Sequence, residues 1–77
     1  MWEKELQRQR TILAQNIKGL RSERGLAQET LALEAGVDRT LVSKIERLIA
    51  NPTLEILVKL SMALEVPVMA LLQPTKR

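Results

Sequence analysis

Five side chains between positions 39 and 47 are of the kind that reads a polyanion: Arg39, Thr40, Ser43, Lys44 and Arg47. Their alternating steps of one and three place them on one side of a helix. Each offers a hydrogen-bond donor, and no acid is among them. Arg and Lys can donate to guanine edges, Thr and Ser can serve several bases, and an α-helix fits the major groove of a DNA duplex. Taken alone, the spacing describes any solvated helix face. The weight therefore rests on what holds that face outward.

The residues just upstream supply the support. Asp38 is a good N-cap for a helix over 39–48, and Val42 and Ile45 fall on its inward side. A short helix over 28–35 precedes it, ended by Gly36, whose type suits a left-handed backbone and lets the chain turn within three or four residues. Ala32 sits where the two helices must approach closely, and Val37 plugs the corner between them. A small residue, a glycine and apolar plugs in register predict a helix-turn-helix, with 39–48 as its recognition helix.

Three further helices complete the pattern. In the first, over 3–24, Trp2, Leu6, Leu13, Ile17 and Leu20 form one stripe, interrupted by Gln9 and Arg10. Residues 1–10 thus read either as a helical extension or as a loose arm. Arg24 and Gly25 form a helix stop. Asn51-Pro52-Thr53 is a turn ending in a cap candidate, and Leu54, Leu57, Leu60 and Leu64 mark a helix over 54–64. Pro67 suits the first turn of a last helix over 67–72. The fold expected is all-α: a five-helix bundle containing a helix-turn-helix, as one domain over 1–77.

Composition narrows the function. The chain has 77 residues, too few for a second core. It contains no Cys and no His, which excludes disulfides and thiolate metal sites and removes the commonest general base. Tyr is absent as well, so an enzyme is not expected, nor a cofactor or small-molecule ligand. No apolar run approaches the ~18 residues that span a bilayer, and the N-terminus is charged where a signal peptide needs an apolar stretch. A cytoplasmic location is expected, with no membrane partner. The net charge of +3 is compatible with a polyanion.

The segment GLAQETLALEAGVDRTLVSKIER resembles the Xre family of phage-repressor and Cro-like regulators. LRSERGLAQ, the Ala-Gly-Val turn, SKIER and NPTLEILVKL follow in family order, and the similarity runs from about Leu13 to Leu72. The resemblance implies a lambda repressor-like bundle that binds double-stranded DNA as a homodimer. It implies base reading by Arg39, Thr40 and Lys44, with Gln28, Ser43 and Arg47 nearer the phosphates. It further implies an ion pair between Arg21 and Glu46 that ties the first helix to the third. The Asp38-Arg39-Thr40 opening and the small size look most like controller proteins of restriction–modification systems; phage-type repressors and antitoxins share much of this pattern.

Three positions depart from the family. Ala27 replaces the usual Thr or Ser cap, a loss of about 1 kcal/mol. Leu48 stands where Gly is common after the recognition helix, so the helix either runs on or turns differently over 48–51. Leu33 and Met62 are apolar where the family is usually polar.

The C-terminal run Met62, Leu64, Val66, Val68, Met69, Leu71 and Leu72 is more apolar than one small bundle can bury. Val66, Val68, Met69 and Leu72 are therefore expected to meet a second copy across a two-fold axis. The competing reading is a protein-interaction module that uses Leu33, Met62 and the tail.

Overall fold

A computed structural model of the protein describes residues 1–74. Five helices follow in order: α1 (Trp2–Glu23), α2 (Gln28–Ala35), α3 (Leu41–Glu46), α4 (Leu54–Ala63) and α5 (Met69–Leu72). Among the described residues there is no strand, and no helix is long and apolar enough to cross a membrane.

Local chemistry sets most of the boundaries. Gly25 (φ +66°) ends α1 and Gly36 (φ +71°) ends α2, both in the left-handed conformation. At each, the following amide closes back onto the helix: Leu26 N–H on Arg21 O and Val37 N–H on Ala32 O, both at 3.0 Å. The α4 N-terminus is capped by Thr53, whose Oγ1 accepts from Ile56 N–H at 3.2 Å.

The core is aliphatic. Leu13 and Ile17 of α1, Leu31 and Ala32 of α2, Val42 and Ile45 of α3, Leu57 and Leu60 of α4, Leu64 and Leu71 form one buried cluster. Each large member contributes roughly 1.5–3 kcal/mol by leaving water. α1 packs on α3 and α5, α2 on α3 and α4, and α4 on α5. Asn16, buried in α1, donates to Leu71 O and Gln73 O, both at 2.9 Å, and so fastens the end of α5 to α1.

The helical spans resolve one open alternative and depart from the sequence expectations at two places. Residues 2–10 are helix, continuous with the rest of α1, so the extension replaces the loose arm. The first buried side chain of α1 is Ile12, however, and Trp2 is 68% exposed. The apolar stripe thus runs past the end of the core. Leu54 is likewise exposed, at the first turn of α4.

α3 is shorter than the expected 39–48 and α5 shorter than 67–72. Arg39 and Thr40 form a turn leading into α3, closed by Leu41 N–H on Asp38 O at 3.0 Å. At the other end Leu48 adopts φ +65°, and Ile49 N–H reaches Lys44 O at 3.0 Å. α3 therefore does not run on. It closes as a glycine would close it, with Leu bearing a conformational cost of about 1–2 kcal/mol.

Candidate nucleic-acid interface

The site starts at the Gly36 corner. Ala32 is fully buried between α2 and its neighbours, and Val42 and Ile45 anchor α3 from beneath. With that side fixed, Arg39, Thr40, Lys44 and Arg47 are exposed and Ser43 is half-buried. Arg39, Lys44 and Arg47 take part in none of the five ion pairs formed among the described residues. Three cations outside these ion pairs, on one short helix and the residues that flank it, are an electrostatic footprint for a polyanion.

Asp38 organises the entry to that face. Its Oδ1 accepts from Thr40 N–H at 2.8 Å and from Thr40 Oγ1–H at 2.6 Å. These bonds hold the carboxyl below its ordinary range, with smaller contributions from the charges of Lys44 and Arg39. Thr40 has already given its hydroxyl hydrogen to Asp38. What remains for a base is the oxygen as an acceptor and the methyl group, which suits a thymine methyl.

Behind the face, Arg21 and Glu46 form a forked pair: Nε to Oε2 at 2.8 Å and Nη2 to Oε1 at 3.1 Å. The side chains are 16% and 8% exposed. Arg21 Nη1 also donates to Leu26 O at 2.8 Å, so one guanidinium binds α3 and the loop before α2 to α1. Hydrogen bonding to Glu46, helped by its charge, raises the guanidinium pKa above its already high value.

Gln28 joins the same cluster. Its Nε2 donates to Glu46 Oε1 at 3.0 Å, a contact that the sequence did not suggest. One side-chain hydrogen is thus committed inside the protein, and the second is left for a phosphate. No side chain caps α2 at Ala27, so its first-turn amides also keep their donors.

The tail residues divide. Val66 and Val68 are half-buried against the core, whereas Met69 is 71% and Leu72 37% exposed. Leu33 and Met62 are 80% and 73% exposed. Among the described residues no group of acidic side chains could hold a metal ion. Asn16 was not legible as a positioning residue; Asp38, expected as the N-cap of a helix over 39–48, instead braces the turn that leads into α3, whose N-cap is Thr40.

The helix-turn-helix family HTH_3 matches residues 17–71, a span that contains the corner, the whole of α3 and the Arg21–Glu46 pair. A hypothetical transcription factor of Neisseria meningitidis is 42% identical over 65 residues, covering 84% of this chain and 61% of that protein. The HTH-type transcriptional regulator SinR of Bacillus subtilis is 42% identical over 62 residues, covering 79% of this chain and 56% of SinR. The chain thus matches less than two thirds of the length of either. The crystal structure of the Neisseria factor superposes with a TM-score of 0.85 at 40% identity, over 88% of this chain and 78% of that one. The restriction–modification controller protein C.AhdI of Aeromonas hydrophila gives a TM-score of 0.77 at 37% identity, over 80% and 94%.

Proposed function

The chain belongs to the HTH_3 (Xre-like) helix-turn-helix family, and on that premise we propose that it is a sequence-specific DNA-binding transcriptional regulator acting as a homodimer. One observation carries this reading: Lys44 on α3 and Arg39 and Arg47 on either side of it stand exposed on an element locked from behind, and none of them joins an ion pair among the described residues. α3 enters the major groove. Arg39 and Lys44 donate to base edges, and Thr40 offers its methyl group or accepts a hydrogen bond. Ser43 and Arg47 meet the flanking phosphates, joined by the second amide hydrogen of Gln28 and the open first turn of α2. The names of its relatives support a regulator rather than an enzyme; they include both a controller protein and SinR.

The dimer half of the reading rests on Met69 and Leu72, the most exposed of the four tail residues. Val66 and Val68 sit beneath them and help shape the contact from the core side. Two such subunits place their recognition helices on half-sites about one helical turn apart.

The test is selection of bound sequences from random duplexes, followed by a salt titration on the selected site. Symmetric half-sites, and a log–log slope of about −0.9 for each phosphate neutralised, are expected. Binding indifferent to salt, or no enriched sequence, overturns the proposal. Salt-insensitive capture of a protein through Leu33 and Met62 is the result that the interaction-module reading requires.

A further inference from the structure

α1 is 22 residues long, about 33 Å at 1.5 Å per residue, and so spans nearly the whole 35 Å length of the molecule. Its first ten residues bury nothing completely, yet they carry Trp2, the only aromatic residue of the chain. Trp2 and Leu6, one turn apart, continue the stripe that Leu13 and Ile17 bury further along. The overhanging helix thus carries a large, mostly exposed apolar side chain at its tip.

A groove lies beside that overhang. Leu6 and Leu13 form one wall; Ala50, Pro52 and Leu57 form the other, and Leu72 of α5 closes the end. Its volume is about 150 Å³, and its lining is overwhelmingly apolar. Arg10 stands on its rim, held by Nε and Nη2 donating to Asn51 Oδ1 at 2.8 and 2.5 Å. This bond fixes the loop that follows the recognition helix against α1.

We propose that the groove receives Trp2 of a second copy of this chain, the two α1 overhangs crossing antiparallel about a two-fold axis near Leu6. Four features fit that occupant. Pairing across such an axis sets Trp2 of each copy opposite residues 9–10 of the other, which are the groove's own rim. Glu3 and Arg10 lie on the same flank of α1 at opposite ends of the overhang, so antiparallel packing brings each acid to the other copy's cation. An indole over the Arg10 guanidinium is also a favourable cation–π arrangement. Finally, Leu72 lines the groove and belongs to the tail surface of the proposed homodimer, so the two contacts are continuous. The inference rests on that homodimer reading and names a second contact within it.

Trp2 is its own reporter, because no other residue emits in its range. Sedimentation measures the dimer constant, and Trp2 emission and acrylamide quenching are followed over the same concentrations. The emission is expected to move to the blue and quenching to fall as dimer forms, with Met69→Glu, a monomer reference, showing a fully wet indole at every concentration. Trp2→Ala is expected to weaken dimerisation about tenfold or more, and Trp2→Phe to restore most of it. Trp2 is exposed in the single subunit, so the urea midpoint of the Ala variant at low concentration should not move. A dimer whose Trp2 stays wet, or which Trp2→Ala leaves unweakened, overturns this contact alone. A monomer at all concentrations overturns the homodimer reading with it.

Discussion

Removing the carboxylate of Glu46 strands a guanidinium. In Glu46→Ala, Arg21 keeps only its bond to Leu26 O, and the Gln28 amide loses its acceptor. Breaking one half of a buried pair costs about 3–5 kcal/mol. Arg21 keeps 16% of its side chain in solvent, which argues for the lower end, about 3 kcal/mol. A 77-residue domain at 0.05–0.15 kcal/mol per residue has roughly 4–12 kcal/mol in all, so the loss is a large share of the total. With a urea slope near 1 kcal/mol/M, the unfolding midpoint should fall by about 3 M. The decisive assay is a double-mutant cycle with Arg21→Met and Glu46→Leu. Each single variant leaves an unpaired polar group, whereas the double variant replaces the pair with apolar side chains of similar length and should recover most of the stability. A coupling of about 2–3 kcal/mol is expected. Additive effects, or a cost below about 1 kcal/mol for Glu46→Ala, would refute the claim that this fork holds α3 to α1.

The other predictions are shorter. Arg39→Ala should cost about 1–3 kcal/mol on the selected DNA site and much less on random duplex, measured by titration on both; equal losses would count against base reading by Arg39. Gly36→Ala should cost about 1–2 kcal/mol by urea unfolding, all of it conformational, because nothing lies within 4 Å of the added methyl group. A loss well beyond that would mean that the corner is more crowded than its geometry indicates. Asp38 is depressed in the folded state, so its stabilisation is present above the unfolded carboxyl value and disappears as pH falls through the lower folded one. The stabilities of the natural chain and of Asp38→Ala should therefore begin to converge as pH falls below about 4, and a gap unchanged down to pH 2 would contradict this role.

Much of the molecule was legible because its signals are local. Gly25 and Gly36 marked helix ends whose positive φ glycine adopts freely, and Thr53 marked a cap three residues from its amide. The Leu13–Ile17 and Val42–Ile45 spacings gave the inward faces of α1 and α3. Leu48 was legible only as an open alternative: standing where the family commonly has Gly, it makes the same left-handed turn as the glycines, closed by the Ile49–Lys44 bond. Periodicity also misjudged Trp2, because a stripe in sequence does not know where the core ends.

The sequence by itself determined the elements and the cationic composition of residues 39–47. Secondary structure follows from interactions within a turn or two, and so does the amphipathic pattern. Only the tertiary structure decided which partners meet across the chain: Asn16 with the carbonyls of α5, Gln28 with Glu46, and Arg10 with Asn51. It also divided the apolar tail, settling Val68 against the core while leaving Met69 in solvent. These contacts join residues 18 to 57 positions apart, and no local propensity encodes the packing that brings them together.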